Sequence, residues 1–180
     1  MDSKKQIIIN TAIKLFAEQG FDKTSISQIV NRAQVSKGLV YHHFKNKEDL
    51  LRTIVKSTTE KMIALSQNEE SIENPKDALK NLILQIFKQL ENEKEFYQLN
   101  LNILFQPALK QVLRDLINER SLLLYQQVLQ VFARMKSKDP ELDTYIFLAE
   151  IDGIAIDYLS VFENYPLEKL KDHMIRKYGK

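Results

Sequence analysis

The 180-residue chain has no cysteine and no tryptophan, and only three histidines, four glycines and four prolines. Without cysteine there is no disulfide framework and no thiolate metal site, which fits a cytoplasmic protein. Glycines at 20, 38, 153 and 179 are too scattered for a phosphate-binding loop. The sequence contains no His-Glu-x-x-His, no Glu-x-x-His and no Gly-x-Ser-x-Gly, so neither a metallohydrolase, a di-metal bundle nor a serine hydrolase is expected. His42 and His43 are adjacent, about 100° apart on a helix, and make a poor metal pair. No enzyme activity, cofactor or metal is expected. No apolar run reaches the roughly 18 residues of a membrane span, and the first residues, MDSKKQIII, lack the apolar core and cleavage site of a signal peptide.

Charge is present but unevenly placed. The net charge is +2, made of +4 over residues 1–52 and −2 over the rest. A basic end on a near-neutral body suits a nucleic-acid partner at that end, or simply a solvated helix face.

The most informative stretch is Thr24 to Lys47, TSISQIVNRAQVSKGLVYHHFKNK. Ile26, Ile29, Val30 and Ala33 recur at helical spacing. Gln34 to Lys37 interrupts them, and Leu39, Val40, Tyr41 and Phe44 follow. Thr24 or Ser25 can cap the first short helix and Ser36 the second. Two short helices joined by three or four residues form a helix-turn-helix, whose second helix lies in a major groove.

These residues resemble the DNA-binding domain of TetR family transcriptional regulators. The chain has Gly20-Phe21 closing a first helix, Thr24 opening a second, Ala33-Gln34-Val35-Ser36 as the turn, Tyr41-His42-His43-Phe44 in the recognition helix, and Lys47-Glu48 opening a fourth. Gln34 stands where the family usually has Gly, and Val30 where it often has Ala. Lys37 and Gly38 begin the recognition helix, where base contacts are made. Lys37 can donate to guanine or to phosphate, Gly38 lets the backbone approach, and Val40 can touch a thymine methyl. Ser36, Tyr41 and His42 flank these positions. The resemblance implies a phosphate contact for Tyr41, with partial core packing as the alternative. It implies the same use for the helix starts at Thr24, Ser25 and Lys47, whose amide groups suit phosphate.

The rest of the chain reads as all-α, about nine helices and no strand. A first helix covers about residues 4–19, with Ile8, Ala12, Leu15 and Phe16 on one face. Asn46 caps a fourth helix over 47–66, with Asp49 at capping-box distance. Residues 67–75, QNEESIENP, form a polar loop. Helical patterns continue at 75–90, 96–105, 108–135, 142–162 and 167–178. This gives a DNA-binding domain over 1–50 and a helical ligand-binding and dimerisation domain over 51–180, connected by the fourth helix.

Residues 144–162, TYIFLAEIDGIAIDYLSVF, are apolar almost all round. Such a helix is either a core helix or one that meets a second subunit. The resemblance implies a homodimer pairing its last two helices, with Gly153, Ile156, Leu159, Leu170 and Met174 as interface candidates. Glu150, Asp152 and Asp157 interrupt the apolar run; each is a structural pair with Lys, Arg or Tyr, a ligand anchor or a metal ligand. Asp152 is the best single pocket candidate. Phe96, Tyr97, Leu101, Phe105, Leu122, Tyr125, Leu129 and Phe147 could line an apolar pocket, or could be ordinary core. The expected function is a repressor released from double-stranded operator DNA by a small lipophilic effector. Its rivals are an all-α interaction protein that has lost DNA contact and a ligand-independent repressor.

Overall fold

A computed structural model describes residues 3–66 and 72–179; residues 67–71 of the expected loop lie outside the described residues. Among the described residues there are ten α-helices and no strand: α1 (Ser3–Gln19), α2 (Ile26–Ala33), α3 (Lys37–His43), α4 (Lys47–Ser66), α5 (Pro75–Asn92), α6 (Lys94–Phe105), α7 (Pro107–Val112), α8 (Arg114–Arg134), α9 (Pro140–Ile156) and α10 (Leu167–Tyr178). The all-α expectation holds. The count differs from nine because the helix expected over 108–135 is broken at Leu113. No Gly or Pro marks that break. Instead Arg52 of α4 donates to the Val112 carbonyl at 2.7 Å and forks onto Asp115 in the first turn of α8. A carbonyl with a cation for a partner does not need the next helical turn.

The chain divides into two compact units, Met1–Thr59 with Glu95–Ile117 and Glu60–Lys94 with Asn118–Lys180. In the first, the apolar stripe of α1 (Ile8, Ala12, Phe16) meets Ile29, Val40 and Phe44 of the helix-turn-helix, and Leu50, Leu51 and Ile54 of α4. Phe96, Leu99, Ile103, Leu109 and Leu113 belong to the same core. Full burial of each such side chain contributes about 1.5–3 kcal/mol. In the second unit, Leu79, Ile83 and Phe87 of α5 pack with Val128 and Phe132 of α8, Phe147 of α9, and Leu167 and Met174 of α10. Phe132, Phe147 and Tyr178 meet edge to face, with centroids 5.2–6.1 Å apart.

Helix ends follow their sequence signals. Asn74 caps α5 by accepting from the Lys76 amide, with Pro75 in the first turn. Asp139 caps α9 by accepting from the Leu142 amide. α9 then widens into a π turn, Asp157–Val161, closed by the Phe162 amide on the Asp157 carbonyl. No helix among the described residues is long and apolar enough to cross a membrane.

Candidate nucleic-acid interface

α1 stops at Gly20, which takes φ +85°, a conformation glycine adopts without steric cost. Ser25 then caps α2 with a full capping box: its hydroxyl accepts from the Gln28 amide at 3.2 Å, and the Gln28 side chain accepts from the Ser25 amide at 2.7 Å. Gln34 closes α2 in the left-handed region, φ 53°, ψ 44°. The turn therefore has the geometry that a glycine would give it. Ser36 caps α3, accepting from the Leu39 amide at 3.2 Å. Glu18 of α1 accepts both arms of Arg32 of α2, at 2.6 and 2.9 Å, so Arg32 braces α2 against α1.

On α3, Lys37, Gly38, Tyr41 and His42 are exposed. The Lys37 ammonium lies 5.9 Å from the Tyr41 ring centroid. Lys5, near the start of α1, lies at the same distance from the Phe44 ring. A Cβ at Gly38 would meet nothing within 4 Å. Two expected contacts need correction. Val40 is fully buried in the core and cannot touch a thymine methyl. Thr24 is 1% exposed; its hydroxyl donates to the Gly20 carbonyl at 2.8 Å and accepts from Gln19 at 3.0 Å. Ser25, not Thr24, is the cap. Lys47 is half-buried, and its ammonium donates to the carbonyls of Phe21 (2.7 Å) and Thr24 (2.8 Å). Asn46 caps α4 by accepting from the Asp49 amide at 2.7 Å, and the Asp49 carboxylate accepts from the Lys45 backbone amide at 2.9 Å.

The expected pocket residues do not behave alike. Phe96, Tyr97, Leu101 and Phe105 fall in the first unit; Leu122, Tyr125, Leu129, Phe147 and Asp152 fall in the second. Phe96 and Phe147 are buried core. Phe105 and Leu122 are 74% and 55% exposed, so neither lines an enclosed cavity of this chain. The Tyr125 and Tyr145 rings lie 5.1 Å apart, tilted by 42°. Asp152 stands on the outward side of α9; desolvation raises its carboxyl pKa and the charge of Arg120 opposes the shift. Glu150 is paired with Lys177 and accepts from the Tyr178 hydroxyl at 2.9 Å. Desolvation, then that hydrogen bond, pushes the Tyr178 hydroxyl up to about 12. Asp157 faces the Tyr165 hydroxyl at 3.5 Å. Glu150 and Asp157 thus take the structural alternative. Among the described residues no three His, Asp or Glu side chains gather as a metal set.

The interface candidates also divide. Met174 is 3% exposed, inside its own unit's core, and Leu170 packs against that core because α10 lies on α5. Met174 is therefore withdrawn as an interface residue. Ile156 and Leu159 are half-buried, and Gly153 is exposed. On α8 and α9 the exposed large apolar residues are Leu122, Leu142, Tyr145 and Ile146.

A short cap-bounded pair of helices, with a basic and small-residue start to the second, is a helix-turn-helix. Residues 8–54 match the family described as bacterial regulatory proteins, tetR family. Over these residues the chain is similar to the DNA-binding domain of that family. The chain is 40% identical over 103 residues to the HTH-type transcriptional regulator YerO of Bacillus subtilis, covering 53% of this chain and 34% of that one. It is 35% identical over 115 residues to the fatty acid metabolism regulator protein of the same organism, covering 62% of this chain and 57% of that one. The matches thus span between a third and three fifths of these relatives. The fold is similar to that of the regulator FadR from Bacillus subtilis, solved in complex with stearoyl-CoA, with TM-score 0.80, 22% identity and 97% of each chain covered.

Proposed function

We propose that the chain is a DNA-binding transcriptional regulator: a homodimeric repressor that leaves a near-palindromic operator when a small, largely apolar ligand binds. The observation that carries this reading is the start of α3. Gly38 is an exposed helical glycine whose missing Cβ makes room for nothing in this chain. In this first turn it makes no contact that alanine would lose, so its use lies outside the fold, where a DNA backbone or base edge approaches. Lys37, Tyr41 and His42 surround it. Lys37 serves guanine or phosphate, while Tyr41, His42 and the capped helix starts at Ser25 and Ser36 serve phosphate.

The dimer reading rests on α9. Gly153 is exposed on it, and a Cβ there would meet nothing within 4 Å. Leu142, Tyr145 and Ile146 are also exposed on this helix, a surface that a second copy would bury. The effector reading rests on the fatty acid metabolism regulator and on the stearoyl-CoA complex of FadR, and it makes the effector an acyl compound. In this reading residues 1–50 bind DNA and 51–180 carry dimer and effector contacts. The segment 96–105, whose Phe96, Leu99 and Ile103 share a core with α4, moves α4 when the effector binds.

The test is selection of bound fragments from source-genome DNA by purified protein at physiological salt. Enrichment of one near-palindrome, with affinity falling steeply as salt rises, supports the reading. No enrichment from protein shown by native mass spectrometry to be ligand-free overturns it. With the operator in hand, a long-chain acyl-CoA is titrated. Operator and effector must weaken each other by the same factor, and equal acyl-CoA affinity with and without operator overturns the effector part alone.

A further inference from the structure

We propose that the Lys47 ammonium acts on DNA binding as an internal pin, holding the start of α4 to the α1–α2 turn, and does not itself contact phosphate; this rests on the DNA-binding reading above.

An ammonium has three N–H donors. The Lys47 ammonium faces three carbonyls of the turn: Phe21 at 2.7 Å, Thr24 at 2.8 Å and Asp22 at 3.4 Å. It also stands 4.2 Å from the Phe21 ring centroid, a cation–π distance. Phe21 is itself buried, with its ring 5.2 Å from that of Phe16. The cation is therefore surrounded by acceptors and an aromatic face of its own chain. A DNA phosphate would have to draw it away from carbonyls already at ideal distance.

The pin ties particular elements. Lys47 is the first residue of α4, and the turn carbonyls lie 23 to 26 residues earlier in the chain. The same turn carries Thr24, whose hydroxyl is spent on Gly20, and it leads directly into the Ser25 cap of α2. α2 packs on α3. The ammonium thus joins α4 to the element that sets the angle of the recognition helix, and a movement of α4 reaches α3 through it. Arginine cannot replace it, because a planar guanidinium fork does not converge on three carbonyls as an ammonium does.

The experiment uses the full chain, the DNA fragment selected by the wild type, and the variants Lys47→Arg and Lys47→Met, at a temperature where circular dichroism shows both folded. Binding is measured over a range of salt, and amide exchange is measured on the free proteins. A pin predicts that both variants lose about tenfold or more in affinity, with an unchanged salt slope. It also predicts faster exchange of the Thr24 amide, which bonds to the Phe21 carbonyl, with no DNA present. A phosphate contact predicts instead that Lys47→Met lowers the salt slope by about one, that Lys47→Arg binds as the wild type does, and that exchange in the free protein is unmoved; that result overturns the proposal. Wild-type affinity in both variants overturns it as well. If the wild type selects no DNA, the function reading fails, and the exchange measurement still decides whether the pin exists.

Discussion

The two units are held by different means. In the first, short helices carry a side-chain cap or a charged brace at nearly every joint: Ser25 with Gln28, Ser36, Asn46, Glu18 with Arg32, Lys47 on the turn, and Arg52 with Asp115. In the second, Asn74 and Asp139 also cap their helices and Glu150 pairs with Lys177, but α5, α8, α9 and α10 meet through one apolar and aromatic core, and α8 and α9 carry apolar side chains outward as well as inward. The first unit is a surface prepared for a charged partner. Both units leave apolar side chains exposed, Ile7, Leu104 and Phe105 in the first and Leu122, Leu142, Tyr145 and Ile146 in the second; those on α9 lie on the face that the proposed second copy would bury.

The largest expected effect tests the inward side of the second unit. Phe147 is fully buried, whereas Phe162, after the same helix, is 55% exposed. Phe147→Ala should cost about 3–5 kcal/mol and Phe162→Ala less than about 0.5 kcal/mol, read from denaturant midpoints at constant slope. Equal costs would erase the distinction between inward and outward apolar residues on this helix. Next comes the outward side. Ile146→Lys places a charge on the exposed face of α9. It should halve the mass seen by sedimentation at micromolar concentration while leaving the helical signal intact, and an unchanged mass would move the dimer contact elsewhere.

A smaller effect separates charge braces from core. Asp115 is held down to about 2 from an ordinary value of 3.8, chiefly by its hydrogen bond from Arg52. Its folded pKa is depressed, so its contribution is fully present above about pH 4 and fades as pH falls toward 2. Both partners are substantially exposed, so solvent screening keeps the contribution small. Melting temperature followed from pH 5 to 2 should fall more steeply in the wild type than in Asp115→Asn. Parallel curves would mean that the brace at the α7–α8 break contributes nothing.

The contrast also explains what could be seen in the chain beforehand. In the first unit, caps and periodicity are local, and Ser25, Ser36, Asn46 and Gly20 do what their residue types announce. Long-range partners were not visible: Lys47 meets carbonyls 23 to 26 residues away and Arg52 meets Asp115 63 residues away, and no spacing rule encodes either. Hence nothing local marks Thr24 as a buried hydroxyl or Leu113 as a helix break. Val40 reads as a groove contact because a seven-residue helix gives too few turns for its inner face to show in the periodicity. In the second unit, an all-round apolar α9 has no face to read at all. Which of its residues point inward was decided by α5, α8 and α10 in three dimensions, and that packing also took Met174 into the core.

The smallest effect compares the same backbone device in both units. Among the described residues, two that are not glycine hold left-handed backbone: Gln34 after α2 and Lys136 after α8, with φ 53° and 57°. Each closes its helix with backbone hydrogen bonds, Gln34 and Val35 onto Asn31 and Val30, Lys136 and Ser137 onto Ala133 and Phe132. Those bonds use no side-chain atom, so glycine can make them. Glycine removes a Cβ strain of about 1–2 kcal/mol and adds about 0.5–1 kcal/mol of unfolded-chain entropy. Each glycine variant should therefore be more stable by about 0.5 kcal/mol, a rise of about 1–2 °C in melting temperature. Alanine keeps the Cβ and should give no rise. If Gln34→Gly is stabilised but loses operator affinity while Lys136→Gly changes stability alone, the turn before α3 is held rigid for DNA and the one after α8 only for the fold.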